Sequence, residues 1–177
     1  MLNSDIITHG NENKYFLNGL SDGIPFISPN ELNEISDYII NNFSLNDVNK
    51  IVCVESMGIP IAIALSLKMN VPVNIIRKKK FNLPSEHEIH QTTSYKNEEK
   101  LYINCLNEDD NILLVDDVIH TGGTLKPIIS KLHEINVNIS NIIILFEVMD
   151  GYKEVNDNYI SLIKLKIEEN EIQIVEN

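Results

Sequence analysis

The stretch Asn111-Ile112-Leu113-Leu114-Val115-Asp116-Asp117-Val118-Ile119-His120-Thr121-Gly122-Gly123-Thr124 decides how the chain is read. The apolar run 111–115 suits a strand buried on both faces of a parallel sheet. It ends in Asp116-Asp117, passes through a glycine-containing turn and enters a helical pattern over about 124–133. Gly122 and Gly123 let the backbone take positive φ and approach a ligand closely. Successive N–H groups ahead of a helix form an anion nest, strengthened by the helix dipole. Thr121 and Thr124 add hydroxyl donors, so the chemistry favoured is phosphate binding. The spacing is neither GxGxxG nor GxxxxGK followed by Ser or Thr, so dinucleotide and nucleoside-triphosphatase readings lack support. Asp116 and Asp117 are placed to accept hydrogen bonds from sugar hydroxyls. The plainer alternative is an ordinary turn with a helix-capping threonine.

Further strands are expected at Ile51-Val52-Cys53-Val54, at Val71–Ile76 with Pro72 at its start, and at Asn141–Phe146. Helical spacing runs over 31–40, with Asn30 as N-cap, and over 59–69, with Pro60 in the first turn. Alternating strand and helix implies an α/β fold, a central, mostly parallel sheet flanked by helices. Ligands then bind beyond the carboxyl ends of the strands. A second turn lies at that edge, Glu55-Ser56-Met57-Gly58, which also presents backbone donors at a helix start. Residues 77–100 are polar and lack a clear period, which reads as a functional lid with short strands inside it. Residues 1–29 are broken by Gly10, Gly19, Gly23, Pro25 and Pro29. Residues 159–167 and 171–175 alternate around Glu168-Glu169-Asn170, the pattern of a hairpin.

The 177 residues suit one domain at roughly 100–200 residues per domain. An apolar fraction of 43% and a charged fraction of 23% exclude a disordered or fibrous chain. The net charge of −12 argues against nucleic acid as a partner, while leaving room for a local basic pocket that takes a small polyanion. No apolar run approaches the roughly 20 residues of a membrane span, and Met1–Asp5 has no basic or apolar leader pattern. A soluble cytoplasmic protein without membrane partners is expected. Cys53 and Cys105 show neither CxxC nor zinc spacing and are expected as buried free thiols. His87 and His90 stand three apart with no third ligand in view, and His9 and His133 read as surface residues.

Four apolar residues, two acidic residues and Thr-Gly-Gly-Thr resemble the phosphoribosyl pyrophosphate (PRPP) motif of type I phosphoribosyltransferases. Glu55-Ser56-Met57-Gly58 matches that family's pyrophosphate loop. Arg77-Lys78-Lys79-Lys80-Phe81-Asn82-Leu83-Pro84 resembles the segment after the next strand in adenine and archaeal purine enzymes. From Gly19-Leu20-Ser21-Asp22-Gly23-Ile24-Pro25 through His133 the chain is most similar to the archaeal hypoxanthine/guanine group. Thr93-Ser94-Tyr95 and Leu101-Tyr102-Ile103-Asn104 fit that group too.

The resemblance implies a type I phosphoribosyltransferase fold over residues 1–177, with a small hood within 1–29, a mobile loop region at 77–104 and a C-terminal hairpin at 159–175. It implies purine salvage: transfer of phosphoribosyl from Mg2+-bound PRPP to hypoxanthine or guanine, giving IMP or GMP and pyrophosphate. The metal is carried by PRPP, and no direct protein ligand is expected. His120, Thr121, Gly122, Gly123 and Thr124 would hold the 5′-phosphate. Asp116 and Asp117 would hold the ribose hydroxyls and favour positive charge on an oxocarbenium-like ring. Glu55, Ser56, Met57 and Gly58 would take pyrophosphate, with Arg77 and Lys78 (Lys79 and Lys80 sharing the run) adding charge. Tyr95 belongs to the loop that closes over the substrate. His120 is the candidate for proton exchange at purine N7 or phosphate, since an imidazole titrates at about 6.5. Phe26 and the turn around Ser21-Asp22-Gly23 resemble the hood that covers the base, and the segment from Glu147 to Gly151 is another candidate wall of the base site. A homodimer is the family expectation. Three positions depart from relatives: Met57 where many carry a basic residue, Ser94 where adenine-specific relatives carry Glu, and His120 where a small or acidic residue is usual. An adenine enzyme and a catalytically silent PRPP sensor are the alternatives.

Overall fold

A computed structural model describes residues 4–9, 13–92, 98–149, 153, 155, 157–168 and 171–175. Strands β1 (Ser4–His9) and β2 (Asn13–Asn18) form an antiparallel hairpin, and a single helical turn, α1 (Gly19–Asp22), follows. This segment is therefore more regular than its glycines and prolines suggest. Helix α2 spans Pro29–Asn42. Its N-cap is Ser28, not Asn30, because the Ser28 hydroxyl accepts the Glu31 N–H and Pro29 fits the first helical position.

The main sheet holds β3 (Lys50–Val54), β4 (Val73–Ile76), β7 (Asn111–Ile119), β8 (Asn138–Val148), β9 (Ile160–Glu168) and β10 (Glu171–Val175). Their order is β10-β9-β8-β7-β3-β4. All neighbouring pairs are parallel except β9–β10, the expected C-terminal hairpin, which extends the sheet at one edge. Strand β4 starts after Pro72, which has no N–H to give but whose carbonyl accepts the Ile51 N–H at 2.9 Å. Strand β7 does not stop at Asp116-Asp117. It runs on to Ile119 because β8 continues alongside, pairing Asp116 with Ile144 and Ile119 with Glu147.

The period of two sorts the sheet residues onto two faces. Val52, Val54, Ile112, Leu114, Ile142 and Ile144 pack with Leu125, Ile128, Ile129 and Leu132 of α4 (Leu125–Glu134). Ile51, Cys53, Leu113, Val115, Ile143 and Leu145 pack with Ile39 of α2 and with Ile61, Ala62 and Leu65 of α3 (Ile59–Met69). At about 1.5–3 kcal/mol for each fully buried aliphatic side chain, these two layers fix the parallel strands in register. The same residues therefore set which loops share the carboxyl edge.

The 77–104 region carries an antiparallel pair, β5 (His87–Thr92) and β6 (Glu98–Ile103), in line with the expected short strands. Ile89, Leu101 and Ile103 anchor it in the α4-side layer. A two-way backbone bridge between Arg77 and Tyr102 ties it to the end of β4. Residues three apart on a strand face opposite sides, so His87 and His90 cannot share a metal. His90 instead lies 3.0 Å from Glu88. Cys53 is buried as expected, but Cys105 is exposed: it sits at φ 56° in the turn after β6, where the chain reverses at the surface. His133 is exposed. No helix among the described residues is long and apolar enough to cross a membrane.

Candidate active site

Strands β3, β4, β7 and β8 point the same way, so the segments that leave them gather at one edge of the sheet. After β3, Glu55 to Gly58 turn directly into α3, with a cis peptide between Glu55 and Ser56. Ser56 is exposed and Met57 half-buried, while Gly58 is buried. A Cβ on Gly58 would lie 3.1 Å from Asp116 Oδ1, 3.1 Å from the Val115 carbonyl and 3.3 Å from Cys53 Cβ. The glycine thus lets the first turn lie flat against the acidic end of the neighbouring strand. The two turns singled out in the sequence are brought into contact at this point.

Glu55 faces the basic segment. One of its carboxylate oxygens accepts the Lys78 N–H at 3.1 Å and lies 3.9 Å from Arg77 Nη1. Both partners are partly exposed, so this pair is worth at most about 1 kcal/mol. Its effect is orientation: it holds the start of the Arg77–Lys80 run beside the 55–58 turn. Lys78 reaches Glu99 at 3.6 Å, Lys80 lies 3.9 Å from Glu88, and Lys79 stands over the Phe81 ring.

Asp116 and Asp117 sit where β7 leaves the core. Asp117 is buried and Asp116 half-buried. Burial raises the carboxyl pKa of both, and the charge of Asp117 raises that of Asp116 further. The Asp117 N–H donates to Asp116 Oδ1 at 3.1 Å. The Ser21 hydroxyl donates to Asp117 Oδ2 at 2.8 Å and opposes the rise there. Burial, then the charge of Asp116, pushes the Cys53 thiol up to about 12. That thiol stays protonated and is no nucleophile.

The loop beyond β7 begins at exposed His120. Gly122 takes φ 86°, and a Cβ there would meet Val155 Cγ2 at 2.4 Å. The Thr121 hydroxyl accepts the Gly123 N–H at 3.3 Å, and the Gly122 carbonyl accepts the Lys126 N–H at 2.9 Å. Thr124 occupies the N-cap of α4 without a side-chain cap bond, so the capping-threonine alternative is not what the geometry shows. Its hydroxyl stands at the N-terminal end of α4, where the helix dipole favours an anion.

Two features escaped the sequence. Lys153 Nζ donates to the carbonyls of His120 and Val148, clamping the start of the phosphate-type loop to the end of β8. Buried Glu147 accepts from Tyr159 Oη at 2.8 Å and from Ser161 Oγ at 2.7 Å. Burial and the Glu147 carboxylate push the Tyr159 hydroxyl pKa up, so it remains a donor. Neither cluster has a local motif, because its partners, between 5 and 33 positions apart, meet only where the chain folds back on the sheet. Phe26 is exposed, which leaves its face open rather than packed in the core. Tyr95 and Ser94 lie outside the described residues.

An α/β sheet that gathers a glycine-containing loop at a helix start, an acidic pair and a second glycine-closed turn at one edge has the architecture of a protein that handles a phosphorylated sugar. A family model described as the phosphoribosyl transferase domain matches residues 27–176. The chain belongs to that family. It is 43% identical over 178 residues to a hypoxanthine/guanine phosphoribosyltransferase of Methanothermus fervidus, covering 98% of this chain and 93% of that one. A protein of the same name from Methanobrevibacter ruminantium is 46% identical over 169 residues, covering 93% and 89%. Among solved structures, adenine phosphoribosyltransferase from Trypanosoma brucei superposes with a TM-score of 0.73 at 16% identity, over 91% of this chain and 76% of that one. The Giardia lamblia enzyme gives 0.69 at 24% identity, over 82% of each chain. These likenesses show the type I phosphoribosyltransferase fold.

Proposed function

We propose that the protein is a purine-salvage enzyme that transfers phosphoribosyl from Mg2+–PRPP to hypoxanthine or guanine. The C1–oxygen bond to pyrophosphate breaks, with its electron pair leaving on pyrophosphate. A purine nitrogen forms the new bond to C1 and gives up its proton, yielding IMP or GMP. The observation that carries this reading is the contact of the 55–58 turn with Asp116, made through Gly58. It supports a site for the leaving pyrophosphate beside a site for the ribose. The archaeal relatives named for hypoxanthine and guanine support the choice of base.

In this reading Thr121, Gly122, Gly123 and Thr124 bind the 5′-phosphate through loop N–H groups and hydroxyls. Asp116 and Asp117 accept the ribose hydroxyls, and their charge stabilises the electron-poor ring as the leaving group departs. Their raised pKa values are the consequence of holding two carboxylates where water is scarce. Mg2+ enters with the substrate, on phosphate oxygens that suit a hard cation. Ser56, Met57 and Gly58 receive pyrophosphate through the backbone, Glu55 orients the basic segment, and Arg77 and Lys78 supply charge. His120, exposed at the mouth of the loop, exchanges a proton with the purine or the phosphate. Tyr95, between β5 and β6 in the sequence, closes over the substrate and limits hydrolysis of PRPP. The whole chain acts as one domain, with the hood within residues 1–29 and the lid at 77–104, as a cytoplasmic homodimer.

A turnover assay tests this reading. PRPP and Mg2+ are supplied with hypoxanthine, guanine, xanthine or adenine in separate reactions, and nucleotide and pyrophosphate are followed. IMP and GMP should form fast, with little AMP. Predominant AMP would replace the base assignment with adenine. PRPP binding without turnover of any base would make the loops a sensor.

A further inference from the structure

Asp117 is braced from the far end of the chain. Asn18, fully buried at the end of β2, caps α1: its Oδ1 accepts the Ser21 N–H at 3.0 Å, and its own N–H donates to Asp22 Oδ2 at 2.8 Å. This reciprocal pair fixes the backbone of the turn in the manner of a capping box. The turn in turn aims the Ser21 side chain. Ser21 Oγ lies 3.0 Å from Asn18 Oδ1 and 2.8 Å from Asp117 Oδ2, 96 positions away in sequence. A hydroxyl has one proton, and the carboxylate is the stronger acceptor, so the proton goes to Asp117. Among the described residues Asn18 Nδ2 has no partner although it is buried, so this side chain stands where it does for what its oxygen organises.

The groups around Asp117 make the donor matter. Asp116 and Asp22 are both negative neighbours, and burial also disfavours the carboxylate. The donors opposing these effects are the Ser21 hydroxyl, the Val118 N–H and the Asp117 N–H. Of the three, only the hydroxyl belongs to the N-terminal turn.

Building on the phosphoribosyl transfer proposed above, we propose that Ser21 is a positioning residue for Asp117. The buried chain Asn18–Ser21–Asp117 makes PRPP affinity depend on the order of the turn at 18–23. Ser21 occupies one lone pair of Oδ2 and fixes the carboxylate plane together with the Val118 N–H, leaving the remaining lone pairs for ribose hydroxyls.

A double-mutant cycle tests this with the full chain. Mg2+–PRPP binding is measured by calorimetry for wild type, S21A, D117N and S21A/D117N, and KM for PRPP and for hypoxanthine is measured for wild type and S21A. S21A should weaken PRPP binding about tenfold, as expected for losing a hydrogen bond to a charged group. KM for PRPP should rise with it, while KM for hypoxanthine stays within about twofold. In the D117N background, S21A should change PRPP binding by less than about twofold, because interacting neighbours are non-additive. S21C, which keeps the volume and weakens the donor, should fall between wild type and S21A and serves if S21A does not fold. Full additivity of S21A and D117N, or equal PRPP binding by wild type, S21A and S21C, overturns the proposal. Wild type that binds PRPP but converts no purine defeats the transfer reading alone, and the binding cycle still decides Ser21. Wild type that binds no PRPP ends both.

Discussion

The turn at Glu55–Gly58 and the loop at His120–Thr124 leave adjacent parallel strands at the same edge, yet they are held differently. The first is short and pressed against its neighbour: a Cβ on Gly58 would come within 3.1 Å of the Asp116 side chain and the Val115 carbonyl, and Glu55 holds the basic segment. The second is supported by a later part of the chain, by Val155 against Gly122 and by Lys153 on the His120 carbonyl. A contact on the strand side shapes one, and a later crossover segment shapes the other. The two turns should therefore fail in different ways when altered, and activity should distinguish them.

The largest effect is expected where the two regions meet. Asp117→Asn keeps the shape of the side chain and removes the charge that would face the reacting ring. kcat/KM should fall on the order of 100-fold or more, the scale set by losing one preorganised electrostatic group. Retained kcat/KM in D117N would remove the ribose role from this residue.

Next come the two glycines, which set the comparison directly. Gly122→Ala meets two obstacles, a positive φ and a Cβ 2.4 Å from Val155 Cγ2. A destabilisation of about 1–3 kcal/mol is expected, together with a raised KM for PRPP. Val155→Ala in the same chain should recover the steric part and leave the conformational part. Gly58→Ala keeps an allowed φ but brings its new atom to 3.1 Å from Asp116 and Val115. Its neighbours there are buried backbone and the half-buried Asp116 carboxylate, so the damage should appear in kcat more than in melting temperature. Identical profiles for G58A and G122A, in both melting and kinetics, would show that the two turns are one unit.

The contrast also explains what could be read without coordinates. The four central parallel strands, the three longer helices and the C-terminal hairpin follow from apolar runs and helical spacing. Asp116, Asp117 and the Thr-Gly-Gly-Thr loop are contiguous, so their chemistry is visible in one line of sequence. The 55–58 turn is visible only by its place between strand and helix. Gly58 acquires its meaning from Asp116, to which it is brought by the pairing of β3 with β7. Lys153, and the hydrogen-bond partners of Ser21 and Glu147, were out of reach because tertiary structure supplies those contacts. The run of β7 past its acidic pair was missed for the same reason: local polarity suggested an end, and pairing with β8 overrode it. Ser28 displaced Asn30 as N-cap because two capping-type residues flank Pro29, and proline fits the first helical position.

A smaller effect is expected behind the loop. Lys153→Met keeps the aliphatic stem and removes the ammonium from the His120 and Val148 carbonyls. KM for PRPP should rise by roughly threefold to tenfold, the range of a lost hydrogen bond, with kcat little changed. K153M with a PRPP KM equal to wild type would mean that Val155 alone supports the loop.

The subtlest prediction concerns the free enzyme and pH. Burial and the charge of Asp117 raise the pKa of Asp116 above its unfolded value. Such a group binds more protons folded than unfolded, so its contribution to stability is full below the unfolded carboxylate pKa. It is lost as pH rises through the raised folded value. At neutral pH the Asp116 carboxyl therefore burdens the ligand-free fold, and Asp116→Asn should melt higher than wild type there. The gap should narrow as the solution is made acidic, because wild type then takes up the proton and its own burden disappears. Turnover should be lost in the same variant, since the charge that strains the empty site is the charge assigned to the reacting ribose. Melting curves from mildly acidic to neutral pH check this. A difference between D116N and wild type that is flat with pH would show that the carboxyl carries no such burden, and that Asp117 together with its Ser21 donor holds the acidic pair without strain.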